Sequence, residues 1–257
     1  MSHLYDRIGD GYAAVRREEP AIAEAIGAAL GDARTVVNVG AGAGSYEPAD
    51  RDVVAVEPSR VMLAQRPVGA APAVRASAEA LPFADGAFDA SMAILSDHHW
   101  PDRAAGLREL RRVARRRAVV FQCDLPAQAG AFWLVRDYLT MFRPASMTIE
   151  EIAGHLGARR SEPVPIPHDC RDGFLAAYWR RPRAYLDKRV RDGISVFRLL
   201  PPADVEAAIE RLRADLESGE WVRRNAMILE REAMDLGYRL VIGEYGGWGA
   251  PRVSARR

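Results

Sequence analysis

The feature that most constrains the fold is a pair of short apolar runs, each ending abruptly at a residue that breaks a strand. Val36–Val39 is followed at once by a glycine-rich turn, and Val53–Val56 stops at Glu57 and a proline. Runs of this length and composition are typical of strands buried on both faces of a parallel sheet. The chain is therefore expected to adopt an α/β fold.

Helices and strands then alternate along the chain. The pattern predicts a helix at 20–30, strands near 73–75 and at 88–94, a helix over 102–114 and a strand at 118–122. Such alternation implies right-handed crossovers and a Rossmann-like, doubly wound sheet. Only seven residues separate Gly44 from Asp52, so the first crossover has room for a helical turn or two at most.

The chain changes character after the fifth strand. The pattern predicts an aromatic-rich helix at 126–143, a helix opened by a capping box at Thr148–Glu151, a proline-marked strand at 161–166, two or three further helices, and a last strand at 236–242. We therefore expect a sheet domain at 1–167, completed by 236–250, and a helical insertion at 168–235 that covers the substrate pocket.

Composition excludes several classes of function. Lys and Arg total 36 against 35 Asp and Glu, and this balance argues against an extended nucleic-acid surface. The two cysteines, Cys123 and Cys170, lack metal-ligand spacing, and no apolar stretch is long enough for a signal peptide or a membrane span. We expect a cytoplasmic protein, monomer or homodimer, with no metal, nucleic-acid or membrane partner.

The glycines at 40, 42 and 44 predict a ligand site. They let the backbone turn sharply at the end of the first strand and approach a ligand closely. Glu57 ends the second strand, where a carboxylate can accept hydrogen bonds from both hydroxyls of a ribose. Together they indicate a nucleoside-binding crevice. Ser45 stands where a dinucleotide fingerprint needs glycine or alanine, which disfavours a nicotinamide cofactor.

A longer ordered set of motifs identifies the nucleoside. It comprises Gly40–Gly44, Glu57, Ala78–Phe83, Asp85-Gly86, Phe88-Asp89, His98-His99, Glu109 and Arg112-Val113. This set resembles the class I S-adenosylmethionine-dependent methyltransferases of the type 11 family, over residues 5 to 125. The resemblance implies a mostly parallel sheet of seven strands with the last antiparallel, a helical cap, and S-adenosylmethionine as cofactor.

The resemblance also implies which residues bind the cofactor. They are Tyr12, Arg16, Asn38, Gly40, Ala41, Gly42, Glu57, Pro58, Ser77, Ala78, Glu79, Ile94 and Leu95. Tyr12 and Arg16 resemble a Tyr-x-x-x-Arg pair that closes over the cofactor's carboxylate; a helix that merely packs on the sheet explains them equally well. Asn38 stands where relatives usually have an acid, so a hydrogen bond is retained but a charge is missing.

Histidine is the side chain best suited to remove a proton from a methyl acceptor at neutral pH. His98 and His99 follow the fourth strand, where the methyl group would emerge. One of them is expected to act as a base or orienting group; a pair that only shapes the pocket is an equally good interpretation. The residues expected to contact the substrate are Trp100, Phe132, Trp133, Tyr138, His168 and Trp179.

The sequence thus predicts an enzyme that transfers a methyl group to an oxygen, nitrogen or carbon of a small metabolite. Three alternatives remain at this point. A nicotinamide oxidoreductase is disfavoured by Ser45 and Ala78–Phe83, an RNA methyltransferase by the balanced charge, and a non-catalytic cofactor binder is mildly favoured by Asn38.

Overall fold

The structure, a computed structural model, describes residues 16–142 and 147–246. Its strands are β1 (Thr35–Val39), β2 (Asp52–Val56), β3 (Ala73–Val74), β4 (Phe88–Ile94), β5 (Ala114–Cys123), β6 (Arg160–Pro163), β7 (Ile166–Pro167), β8 (Ala233–Met234) and β9 (Tyr238–Glu244). Seven of them form one sheet in the order β3-β2-β1-β4-β5-β9-β6, and β7 pairs with β8 in a separate two-stranded sheet.

The pairing of the large sheet is mixed in the predicted way. Strands β1 to β5 pair in parallel, and β9 runs antiparallel to both of its neighbours, β5 and β6. This confirms the Rossmann-like, mostly parallel sheet with an antiparallel last strand. The carboxyl ends of β1, β2, β4 and β5 therefore meet at one edge of the sheet, where ligands bind in folds of this kind.

Nine α-helices are present in the described part of the chain. They are α1 (Pro20–Leu30), α2 (Arg60–Ala64), α3 (Arg103–Val113), α4 (Leu125–Ala131), α5 (Ile149–Leu156), α6 (Lys188–Asp192), α7 (Ser195–Leu199), α8 (Pro202–Glu217) and α9 (Glu220–Asn225). The predicted capping box forms on α5, where Thr148 and Glu151 bond reciprocally, and the Asp102 carboxylate accepts from Ala105 N at the start of α3.

Two apolar clusters cover the two faces of the large sheet. Val36 and Val37 are both fully buried, yet they belong to different clusters because successive side chains of a strand point to opposite faces. The same division separates Val119 from Val120 in β5. This double burial explains why the strands read as continuous apolar runs.

The connection between β1 and β2 contains turns and no helix. Its backbone enters the left-handed region at a non-glycine residue, Tyr46, whose φ is +63°. Tyr46 is buried, and its hydroxyl donates to Asp172 across 2.9 Å. The predicted limit of a turn or two is therefore correct, and the short connection leaves room for an aromatic side chain where a helix would otherwise pack.

The predicted aromatic helix at 126–143 is wrong in its extent. Helix α4 ends at Ala131, Phe132 is extended, and a single π-helical turn covers Leu134–Tyr138. Phe132, Trp133 and Tyr138 are all buried. An unbroken α-helix would spread neighbouring residues around its axis, so the break lets the adjacent rings at 132 and 133 both point into the interior.

Three other boundaries also differ from the sequence prediction. The predicted strand at 161–166 is two elements, because Pro163 ends β6 while Ile166 pairs with Met234 in β7. Strand β5 starts at Ala114 instead of 118, directly after α3. Strand β9 starts at Tyr238, since Gly237 has a positive φ of +85°. A side chain at position 237 would place its Cβ 2.7 Å from the Asp124 carbonyl oxygen.

The segment at 168–235 is largely helical and shares a hydrophobic cluster with the sheet. The Trp133 ring, which precedes the segment, contacts Trp221 within it at a centroid distance of 5.1 Å. The segment and the sheet therefore share one hydrophobic core. Within the described ranges, no helix combines the length and apolar character needed to cross a bilayer.

Candidate active site

A cavity of about 440 Å³ lies at the carboxyl ends of β1, β2 and β4. It is large enough for a nucleoside-sized ligand, since typical ligand cavities range from roughly 300 to 1,000 Å³. Among the residues that the sequence assigns to the cofactor, those that line it are Arg16, Asn38, Gly40, Ala41, Gly42, Glu57, Pro58, Ser77, Ala78, Glu79, Ile94 and Leu95. We call it the cofactor cavity. Tyr12, the remaining assigned residue, lies outside the described residues.

The glycine-rich turn needs glycine at its first position. Gly40 has a φ of +72°, and a Cβ at this position would lie 2.6 Å from the Ser96 Cβ. Its N–H and that of Ala41 both donate to the Val56 carbonyl, at 2.8 and 3.0 Å. The turn is thus fixed to β2 and bends sharply at the end of the first strand, as the sequence predicts.

Glu57 occupies the end of β2 and is only 6% exposed. Its two carboxylate oxygens accept the backbone N–H groups of Gly42 and Ser59, each at 2.8 Å. Glu57 therefore joins the glycine-rich turn to the start of α2, and it lines the cavity from the end of β2.

The opposite wall of the cofactor cavity is polar. The Ser77 hydroxyl donates to Glu79, whose other carboxylate oxygen accepts from Asp102 N at 3.2 Å. Trp100 also lines this cavity and packs over Gly106, where a Cβ would lie 2.3 Å from the indole ring. The sequence assigns Trp100 to the substrate, whereas the structure places it with the cofactor-binding residues.

Asn38 faces the same cavity from β1 and is 2% exposed. Its amide donates to Glu47 across 3.2 Å, and Glu47 is paired with Arg66 at 2.8 Å. The acid that sequence reasoning finds missing at position 38 is therefore present one contact further away, in the short connection. Arg66 balances the charge of Glu47, and Asn38 itself presents an uncharged amide to the cavity.

A second cavity of about 190 Å³ adjoins the first. We call it the substrate cavity. Arg16, Leu95 and His99 line both cavities, and the walls of the second are otherwise mostly apolar. Its lining residues come from the end of β5, from α4, from the loop at 142, from the insertion and from the start of β9; they include Gln122, Gln128, Phe142, Phe174, Leu175, Ile194, Leu199 and Tyr238.

The junction between the two cavities is built from a strained backbone and a buried ion pair. Leu95 has a φ of +50°, which is rare for a residue with a side chain, and its N–H donates to the Phe121 carbonyl at 2.8 Å. Arg16 holds Asp172 with two nitrogens of its guanidinium, Nη2 at 2.9 Å from Oδ2 and Nε on Oδ1. Strain of this kind concentrates at functional sites.

Both histidines of the pair reach the substrate cavity. His98 Nδ1 lies 2.9 Å from Gln122 Nε2, and the same Gln122 nitrogen donates to Asp97 at 2.6 Å. The His98 and His99 rings are 3.8 Å apart between centroids. Burial together with the neighbouring His98 lowers the pKa of His99 well below its usual value, so His99 is neutral at physiological pH.

The comparisons with known proteins agree with this geometry. Residues 37–121 match a family model described as a methyltransferase domain. A candidate methyltransferase from an antibiotic biosynthesis pathway of Anabaena variabilis is 32% identical, with 90% of this chain and 99% of that chain covered at a TM-score of 0.79. The chain belongs to the class I S-adenosylmethionine-dependent methyltransferases.

More distant structures share only the fold of this methyltransferase. A Thermotoga maritima protein described as a possible histamine N-methyltransferase is 21% identical, with 61% of this chain and 80% of that chain covered at a TM-score of 0.50. The [4+2]-cyclase SpnF is 13% identical over 95% of each chain, with a TM-score of 0.52. No protein of curated function matches the chain.

The cofactor cavity of the methyltransferase fits S-adenosylmethionine in its donor set. Glu57 would offer a carboxylate to the ribose hydroxyls, and the turn at Gly40 brings the backbone to the end of β1, where a side chain would collide with Ser96. Ser77 and Glu79 provide polar groups on the opposite wall. These residues suit a nucleoside with a polar tail, and no cluster of three metal-ligating side chains occurs within residues 16–142 and 147–246.

Four residues assigned to the substrate from sequence do not reach the substrate cavity. Phe132, Trp133, Tyr138 and Trp179 are at most 2% exposed, and their rings pack inside the cap. Trp133 Nε1 donates to the Trp179 carbonyl at 2.7 Å, and the Tyr138 hydroxyl donates to Asp215 at 2.6 Å. Aromatic rings fill a core because they bury large apolar areas, and here that role replaces the predicted lid.

His168 lines neither cavity in the structure. It directly follows β7, where its ring nitrogen is 3.2 Å from the Glu232 carbonyl oxygen. The separate pairing of β7 with β8 carries it away from the crevice. The insertion residues that do line the substrate cavity, such as Phe174 and Ile194, have no local sequence pattern that distinguishes them from core residues.

The depressed pKa of His98 makes a testable contribution to stability. His98 keeps an exposed surface, but the protein packed around its ring, with repulsion from Arg103 and Arg16, lowers the pKa of His98 to about 4. An unfolded histidine titrates near pKa 6.5, so between about pH 6.5 and 4 the unfolded chain binds the extra proton and the folded state loses stability as pH falls. His98→Gln should flatten this dependence.

The measurement is urea unfolding of both proteins at pH 7, 5.5 and 4.5. His155→Gln, on α5 and away from both cavities, is the matched control and should keep the wild-type slope. Equal slopes for wild type and His98→Gln would show that His98 protonates freely in the folded state.

Proposed function

We propose that the protein methylates a small metabolite held in the substrate cavity. The observation that carries the proposal is that the cofactor and substrate cavities meet at Arg16, Leu95 and His99. When bound, S-adenosylmethionine supplies a methyl group on a positively charged sulfur. The contribution of the chain is to align the acceptor atom with that methyl group and to exclude water.

The size of the substrate cavity supports a small acceptor. A cavity of about 150 Å³ accommodates benzene, so about 190 Å³ suits a molecule of roughly one substituted ring. A polynucleotide does not fit such a space. The pathway in the description of the Anabaena variabilis relative is consistent with a small metabolite as acceptor.

His99 is the residue that we propose to receive a proton from the acceptor. It lines both cavities, whereas His98 lines only the substrate cavity. Because its pKa lies well below 6.5, its ring is unprotonated across the physiological range. Methyl transfer limited by His99 is therefore expected to show no histidine-dependent fall in rate between pH 8 and 6.

The test is a radiolabelled methyl-transfer screen over fractionated small molecules, with RNA as a separate fraction. Label should appear in a small-molecule fraction only, and His99→Gln should lower kcat by about 100-fold or more, the usual range for loss of a general base. Calorimetry with S-adenosylhomocysteine shows whether the variant still binds cofactor.

Two results would oppose the proposal. Label in RNA would assign a different substrate class. Conversion of a bound metabolite without label transfer would indicate a reaction other than methyl transfer. SpnF, which shares the fold, is described as a cyclase.

A further inference from the structure

The side-chain amide of Gln122 has a fixed orientation. Its oxygen accepts from Cys123 N at 2.7 Å, and its nitrogen lies 2.6 Å from an oxygen of Asp97. Rotating the amide by half a turn would place its NH₂ against the Cys123 N–H and its oxygen against the Asp97 carboxylate. Both contacts would be repulsive, so the hydrogens of Gln122 point toward Asp97 and His98.

This orientation determines which nitrogen of His98 carries the proton. Gln122 Nε2 lies 2.9 Å from His98 Nδ1 and brings a hydrogen to it, so Nδ1 must be the acceptor. In a neutral imidazole the other nitrogen then carries the proton. His98 is therefore neutral with an Nε2–H donor, on the side of its ring away from Gln122.

The surroundings keep His98 neutral. Arg103 from α3 and Arg16 from the junction both repel a positive charge on it. Asp97, the neighbouring acid, is fully buried and takes hydrogen bonds from Arg103 at 2.7 Å and from Gln122. The other ring that contacts it, His99, is neutral as well.

The substrate cavity also lacks a partner for a cation. None of its described lining residues is an aspartate or a glutamate, and the charge of Arg16 is already balanced by Asp172. A protonated amine would be buried there without a counter-charge, which is costly. An oxygen atom that accepts a hydrogen bond matches both the apolar walls and the donor on His98.

We propose that the substrate presents an uncharged oxygen, such as that of a carbonyl group, to the Nε2–H of His98, and that Gln122 is the positioning residue that holds His98 in this tautomer. This substrate class rests on the proposed function, since it assumes that the acceptor occupies the substrate cavity. The tautomer of His98 does not depend on that assumption and is testable without methyl transfer.

The first experiment is long-range ¹H–¹⁵N correlation spectroscopy of the histidine-labelled full chain, with the His98 signals assigned by their loss in His98→Gln. At pH 7 the wild type should show protonated Nε2 and unprotonated Nδ1. Gln122→Glu should move a proton onto Nδ1, because a carboxylate would then face that nitrogen. Gln122→Met, which can replace it if the charged variant does not fold, should give a mixture of tautomers.

Gln128→Leu is the matched control, because Gln128 is another buried amide of the same cavity and its side-chain nitrogen donates to the Leu236 carbonyl. It should leave the His98 tautomer unchanged. A proton on Nδ1 in the wild type, or the wild-type tautomer in Gln122→Met, would overturn the positioning role whatever the outcome of the methyl-transfer screen.

The second experiment titrates the same sample with three ring compounds of similar size: benzoate, acetophenone and benzylamine. The uncharged probe, acetophenone, should shift the His98 Nε2–H resonance and bind at least tenfold more tightly than benzylamine, a cation at pH 7, and benzoate, an anion at pH 7. Equal or tighter binding of benzylamine, or no shift with any probe, would overturn the proposed substrate class while leaving methyl transfer to be judged by its own screen.

Discussion

Asp172→Asn is expected to lower the free energy of unfolding by about 3–5 kcal/mol, the range for breaking a buried ion pair on one side. Asp172 is fully buried. Its carboxylate accepts hydrogen bonds from two nitrogens of Arg16 and, at 2.9 Å, from the Tyr46 hydroxyl. Asparagine keeps the shape but leaves the guanidinium, which is 10% exposed, without its counter-charge. The melting temperature should fall by roughly 10 °C.

Asp169→Asn is the matched control, because Asp169 is an exposed acid three residues earlier in the same segment. It should change stability by less than about 0.5 kcal/mol. Chemical denaturation of both variants at pH 7 makes the comparison. A loss below about 1 kcal/mol in Asp172→Asn would mean that Arg16 finds water or another acceptor and that the ion pair does not fasten the cap to the sheet.

The second large effect is expected at Glu57. Glu57→Ala should weaken the binding of S-adenosylhomocysteine by about 10- to 100-fold, since hydrogen bonds to a charged group contribute about 1.5–3 kcal/mol. The substitution also leaves the N–H groups of Gly42 and Ser59 without their acceptor. The variant should therefore lose stability in addition to affinity, and isothermal titration calorimetry measures the affinity.

Two further variants separate these contributions. Glu57→Gln keeps one acceptor oxygen and the side-chain volume, so its affinity should fall between those of the wild type and Glu57→Ala. Asp52→Ala removes an exposed acid from the opposite end of the same strand and should leave affinity unchanged. Wild-type affinity in a folded Glu57→Ala protein would remove the carboxylate from the cofactor site.

The cofactor site could be predicted from sequence because its determinants are local. A glycine that must turn and an acid that must end a strand are recognisable where they occur, and the topology brings both to one edge of the sheet. Gly40 and Glu57 accordingly line one cavity in the structure. Arg16 lines it too, but its partner Asp172 is 156 positions away and could not be inferred from any spacing.

The substrate cavity could not be predicted in the same way. An aromatic residue is equally apolar in a core and in a binding surface, so composition assigned Trp133 and Trp179 to the cavity although both are buried. The residues that do line it, such as Phe174 and Ile194, are selected by how the insertion packs on the sheet. That packing depends on the whole chain.

One signal for the substrate cavity was present in the sequence. Gln122 interrupts the otherwise apolar end of β5, and a buried amide in a strand needs partners that the strand itself cannot supply. Its partners turned out to be Asp97 and His98. A polar residue at the carboxyl end of a buried strand therefore indicates a candidate site residue, as a histidine there does.

The helix-free connection between β1 and β2 has a consequence for how such a chain can change during evolution. Tyr46 lies in this short connection, and its hydroxyl reaches Asp172 of the cap at 2.9 Å. A lineage that lengthened this connection into a full helix would displace Tyr46 and separate the cap from the loop beneath it. Insertions are thus tolerated here only together with a redesigned cap, so the two segments are expected to be inherited as a unit and to fail when exchanged singly between homologues.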